Sequence, residues 1–242
     1  MDHDWNSGDD EWAESLMPVR NQDVRAADML PARPKTDRTP GVGAKKHFSC
    51  AFVHGAGAGS VMNTDSLTEK RVALVLLARP DVVELENQVL FTWLAPQGVT
   101  RRHYFDFRAT MTDGSRTAIM VKYDAKLRQD GFQAEIAEIA EHVTPDFADR
   151  VTLMTEKHLD PVDVFNATLF NSVRHPDEDA DAIMREAVRG LSGAARISDL
   201  IDRTGLKGRG FRSIARLIAA RELQLRDRDR VAYESFVLRR AA

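Results

Sequence analysis

The run from Arg102 to Lys122, RHYFDFRATMTDGSRTAIMVK, constrains this chain more than any other stretch. At its middle, Asp113-Gly114 is a strong tight-turn signal, because glycine adopts the left-handed backbone that hairpin turns require. The aromatic and β-branched residues on either side predict two antiparallel strands. Alternation then assigns faces: His103, Phe105 and Phe107 to one, Tyr104, Asp106 and Arg108 to the other. On the second strand Ile119 and Val121 oppose Ala118, Met120 and Lys122. This pattern predicts that Asp106 and Lys122 meet on one face of a sheet with Met120 beside them. An exposed hairpin tied by a salt bridge accounts for the same spacing.

A lone hairpin is marginal in water, so its neighbours decide the fold. Upstream, Ser66 and Glu69 have the spacing of a capping box. Leu67, Val72 and Leu76, with Val75 at the margin, predict the apolar stripe of a helix that stops at Pro80. Residues 82–95, rich in β-branched and aromatic side chains, read as extended. A polar helix over 131–143, a strand over 150–157 and an amphipathic helix over 161–173 follow. The alternation predicts an α/β fold, a mixed sheet core flanked by helices. The glycine-rich HGAGAGS (54–60) lacks the GK[ST] ending of a phosphate loop and reads as a flexible turn.

The charged run RHPDEDAD, beginning at Arg174, marks a domain boundary. Beyond it, residues 179–191, 196–206 and 208–225 read as three helices, and 231–240 as a strand. That is the order of a winged helix-turn-helix, with Phe211 to Leu223 as the recognition-helix equivalent presenting Arg212, Arg216 and Arg221. The expected organisation is a flexible arm (1–48), an α/β domain (49–174) and a small winged-helix-like domain (178–242).

Composition excludes several classes. Cys50 is the only cysteine, which rules out a disulfide framework and a cysteine-based zinc site. The longest apolar run, VALVLLA, is far shorter than a membrane span, and the acidic N-terminus does not resemble a secretory signal, so a cytoplasmic setting is expected. From Ser192 onward, twelve Lys/Arg stand against six Asp/Glu, although the whole chain carries a net charge of −3. That excess suits a polyanion or acidic partner, and equally a solvated arginine-rich surface.

Asp106 offers an oxygen ligand for Mg²⁺, Lys122 a cation for charge developing on a phosphate, and Glu69 a second carboxylate. Across residues 62–170 the blocks SLTEKRVALVLLARPDVVELENQ, RRHYFDF, TDGSRTAIMVK, VTLMTEKHL and FNATLF follow in order. In that order and spacing the chain resembles the TnsA endonuclease family, whose members have a PD-(D/E)xK restriction-endonuclease-like sheet core. The resemblance implies that Glu69, Asp106 and Lys122 are catalytic, that Asp106 and Glu69 hold Mg²⁺ or Mn²⁺, and that Gln88 supports them. It also implies double-stranded DNA as substrate, with a transposase subunit and a regulatory ATPase as partners.

Two departures qualify that expectation. Phe105 stands where the family has proline, and Met120 where it has an acid or amide. A thioether is no substitute for oxygen on Mg²⁺. A strand carbonyl, Glu69 and water would then complete the shell, or an acid would have migrated, with Asp124, Glu135 and Glu138 as candidates. The chain is therefore expected to be a DNA endonuclease-like subunit, a catalytically inactive relative that binds DNA, or a winged-helix regulator.

Overall fold

The computed structural model describes residues 29–38, 49–95 and 98–240. Within them the chain is a mixed α/β protein with helices on both faces of a four-stranded sheet. A hairpin of β1 (Cys50–His54) and β2 (Ser60–Thr64) leads into α1 (Leu67–Leu77). Ser66 caps α1 as expected, its hydroxyl accepting the Glu69 N–H at 3.1 Å. Val72, Ala73 and Leu76 form the buried stripe of α1, whereas Leu67, expected within it, is exposed.

The main sheet has the order β3 (Val82–Leu94), β4 (Thr100–Met111), β5 (Arg116–Val121), β6 (Arg150–Met154). The first three strands are antiparallel, and the Asp113-Gly114 turn joins β4 to β5 with Gly114 at φ +84°. Strand β6 runs parallel to β5, which requires a crossover. Helices α2 (Asp124–Leu127) and α3 (Phe132–His142) supply it, and α3 covers one face of the sheet. Strand β6 ends at Met154, short of the predicted 157, because Thr155 caps a single 3-10 turn over Glu156–His158.

Two apolar layers sandwich this sheet. Met62, Phe107, Ile119 and Val121 pack under α1, while Phe91, Phe105, Ala118 and Met120 pack under Ile139 of α3. Phe105 and Phe107 thus lie in different layers, although simple alternation puts them on one face. The reason lies next door, where Gln88 opposes Asp106 and adopts φ +52° inside β3. A left-handed residue interrupts the pleat, and both strands exchange faces at this pair.

Helix α4 (Pro161–Ser172), capped by Asp160, connects to a second lobe: α5 (Glu178–Arg189), β7 (Ala195–Arg196), α6 (Ile197–Thr204), α7 (Gly208–Ala219), β8 (Leu223–Leu225) and β9 (Phe236–Arg239). Its three strands form a sheet of order β7-β9-β8. Met184, Ile197, Leu200, Ile214, Leu217 and Val237 are its core. Gly210 lets α7 approach α6, since a Cβ there would lie 3.3 Å from Ile201 Cγ1. Helix α7 stops at Ala219, earlier than predicted, because Arg221 adopts φ +64° and the chain turns into β8. The final strand starts at Phe236 and not at Val231.

Residues 29–38, expected within a flexible arm, lie against the first lobe. Ala32 bridges to Ser60 and Thr36 to Asn87, while Asp37 accepts the Leu90 N–H at 2.8 Å. The rest of the expected arm falls outside the described residues. No helix among the described residues is long and apolar enough to cross a membrane.

Candidate active site

Strands β4 and β5 are paired from Thr110–Arg116 to Phe107–Ile119 and then part. At the fork the Val121 N–H donates to Asp106 Oδ2 at 2.7 Å. A side-chain carboxylate thus takes the place of a backbone acceptor in the ladder, which explains why a buried aspartate is tolerated between two buried phenylalanines. Lys122, one residue past the end of β5, reaches the same oxygen with its Nζ at 3.3 Å. The aspartate side chain is 9% exposed and the lysine 33%, so the acid lies inside and the cation opens to solvent.

Glu69 enters from the first turn of α1. Its Oε1 accepts the Ser66 hydroxyl at 2.9 Å and its Oε2 the Asp65 N–H at 2.8 Å. It is 6% exposed. Burial first, and then the charge of Asp106, push its carboxyl up to about 7, against the opposing pull of the Asp65 N–H and Ser66. Near neutral pH Glu69 is therefore poised between its protonated and ionised forms. Asp106 and Lys122 are thus in contact, and Glu69, from a third element, lies near enough to feel the Asp106 charge.

Gln88 is buried on the neighbouring strand, and its side-chain carbonyl accepts two bonds from Arg38, at 3.1 Å from Nε and 2.7 Å from Nη2. Arg38 also pairs with Asp65 and lies 5.5 Å over the Tyr104 ring. It therefore ties the left-handed turn of β3 to the loop that launches α1. Sequence reasoning missed Arg38, because its proline- and charge-rich surroundings carry no periodicity. It also passed over His103, which packs edge-on against Phe105 at 4.8 Å. The His103 Nε2 is buried with no hydrogen-bond partner among the described residues. Burial and then Lys122 lower its pKa, opposed by Asp106 and Glu135. The only available signal was its place three residues before Asp106, and the exchange of faces obscured it.

Other expected site residues lie elsewhere. Met120 is 1% exposed within the apolar layer under α3, so it is a core residue and does not stand in a ligand position. Asp124 opens α2 beyond the end of β5 and pairs with Lys157 at 2.7 Å and with Arg128. Lys157 and then Arg128 hold its carboxyl below the usual range, so its charge is already balanced. Glu135 is exposed on the first turn of α3, and Glu138 pairs with Arg101 at 2.8 Å.

In the second lobe Arg216 does not face outward as expected. It pairs with Asp181 at 2.6 Å, both side chains being largely buried. Arg221, beyond α7, donates to the Ala78 carbonyl at 3.1 Å, where α1 ends. Of the three predicted arginines only Arg212 is left exposed without such a tie.

Among the described residues no group of three or more His, Cys, Asp or Glu side chains is arranged to hold a metal. The two-carboxylate set of Asp106 and Glu69 nonetheless suits Mg²⁺, which binds through one or two carboxylates and keeps waters or phosphate oxygens for the rest. The raised pKa of Glu69, from burial first and then from the Asp106 charge, reflects a carboxyl that a divalent cation would favour in its ionised form. No protein-family model matches this chain, and no curated protein matches it either.

Proposed function

We propose that this chain is a DNA-processing subunit of a mobile-element system, a cytoplasmic TnsA-like endonuclease that hydrolyses phosphodiester bonds. The observation that carries the reading is the convergence of Glu69, Asp106 and Lys122 at the fork of β4 and β5, in the chain order of the PD-(D/E)xK pattern. Mg²⁺ or Mn²⁺ held by Asp106 and Glu69 would supply charge neutralisation at the scissile phosphate. Lys122 Nζ, partly open to solvent, stabilises negative charge developing on a phosphate oxygen. Glu69, whose carboxyl is raised to about 7 in the metal-free chain, would ionise on binding the cation and so complete the carboxylate pair that holds it. The Val121 N–H fixes the orientation of Asp106.

The second lobe supports a docking role. Its order of helix, strand, helix, helix and two-stranded hairpin is compatible with a winged helix, and Arg212 is an exposed cation on α7. Double-stranded DNA, a transposase subunit and a regulatory ATPase are the partners this reading implies.

Purified protein with Mg²⁺ or Mn²⁺, alone and with its partner transposase, should nick supercoiled plasmid. Asp106→Ala should lower the rate by about a hundredfold or more. Unchanged nicking in that variant would sink the assignment. A second reading is favoured by Met120 lying in the core with no acid in its place: a subunit that binds DNA through the same face without cutting it. Duplex binding with no nicking under any metal would select it.

A further inference from the structure

A second site lies away from the fork, between the two lobes. A cleft of about 840 Å³ opens between the β1–β2 turn, the end of α1, and helices α4, α5 and α7. This volume falls in the range of small-molecule sites, roughly 300–1,000 Å³. Five cations line it, and three of them are already paired: Arg79 with Asp81, Arg185 with Glu222 and Arg216 with Asp181. Arg174 is different. Its Nε is buried and has no hydrogen-bond partner among the described residues. Leaving such a charged donor unsatisfied is costly, and an exception of this kind calls for an acceptor.

His54, at the end of β1, shares this wall. Burial first, and then the charge of Arg174, lower its pKa, with no carboxylate acting in the opposite direction. Among the described residues, these two nitrogen groups therefore face each other with no carboxylate offsetting them. Asn171 fixes the wall by donating to the Val53 carbonyl at 3.0 Å, which ties α4 to β1. Lys35 adds a cation from the docked N-terminal segment, and Glu84 is the acid on the β3 side. The glycine-rich turn has a packing reason of its own, since a Cβ on Gly59 would lie 2.4 Å from the His54 carbonyl oxygen. That turn brings Gly55 and Ala56 to the cleft but is not itself the argument.

We infer that this cleft binds a small phosphorylated ligand of nucleotide size, with a phosphate seated between Arg174 and His54. A phosphate offers several acceptor oxygens and the negative charge that this end of the cleft lacks. The remaining volume accommodates the body of the ligand against Leu77, Val82 and Phe170. The inference is independent of the nuclease reading, because none of these residues belongs to the fork.

Calorimetric titration of the full chain with inorganic pyrophosphate and with ADP tests it. Saturable binding of at least one probe is expected, weakened about tenfold or more by Arg174→Met and also weakened by His54→Gln. Asp106→Asn should bind the probe as the parent does, so failure of the nuclease reading leaves this result intact. If Arg174→Met fails to fold, His54→Gln carries the comparison. No saturable binding of either probe at millimolar concentration overturns the inference, as does equal affinity in the folded variants. Competitive displacement of the probe by a short DNA duplex also overturns it, by making the cleft part of a nucleic-acid track.

Discussion

The C-terminal lobe and the fork treat charge in opposite ways. In the C-terminal lobe three arginines that hold helices are answered by carboxylates: Arg216 by Asp181, Arg209 by Asp177 and Arg185 by Glu222. At the fork, Glu69 is buried beside Asp106, and its carboxyl rises to about 7. Balanced charges hold helices together, whereas an unrelieved one marks a place prepared for something the chain does not itself contain. An arginine-rich surface is therefore a poor guide to where nucleic acid would bind. Two of the three arginines first expected to face DNA hold the second lobe together or tie it to the first.

That contrast can be broken most sharply at Met120. Restoring the acid of the PD-(D/E)xK pattern by Met120→Glu would place a carboxylate in the apolar layer under α3. Chemical denaturation should register a loss of about 4 kcal/mol or more, with no gain in nicking. A stable, more active variant would show that the Met120 side chain reaches the site after all. Next in size is Asp181→Ala, which strands the Arg216 guanidinium inside the protein and should cost about 3 kcal/mol. Arg209→Ala, at a more exposed pair, should cost clearly less. Similar losses in these two variants would remove the distinction between buried and exposed pairs.

Glu69 sharpens the comparison from the other side. Its folded pKa lies above the unfolded value of 4.5, so the folded chain binds the proton more tightly. Stability should therefore fall as pH rises from about 4.5 to about 7, with the loss complete above that. Glu69→Gln removes the charge and should stabilise the protein at pH 8 by on the order of 2–3 kcal/mol, the difference vanishing toward pH 4. Thermal melts across that window read it, and a gain independent of pH would show that the carboxyl is not strained. Added Mg²⁺ should stabilise the parent chain at pH 8 more than the variant. A modest effect, about 1 kcal/mol, is expected for Arg38→Ala, because the guanidinium is half exposed and the backbone bonds of its segment persist.

Much of the frame was legible in the residue pattern. Ser66 and Glu69 announced the start of α1, Asp113-Gly114 the turn, and Asp160-Pro161 lies where α4 begins, because caps and turns are local chemistry. The pairing of Asp106 with Lys122 was also within reach, since it depends on residues joined by one hairpin. Two helix and strand limits shifted where the chain bends at Arg221 and Thr155.

By itself the sequence determined an α/β chain with one acid and one lysine facing each other across a hairpin, because period and turn chemistry act over a few residues. Only the tertiary structure decided that Met120 belongs to the core, that Asp124 is already neutralised, and that Arg38 and His103 stand at the site. Each of these follows from the left-handed turn at Gln88, which exchanges the faces of two strands, or from partners distant along the chain. No alternation rule contains either one. Long-range packing settles which side of a strand is inside, and with it whether a methionine can serve as a ligand.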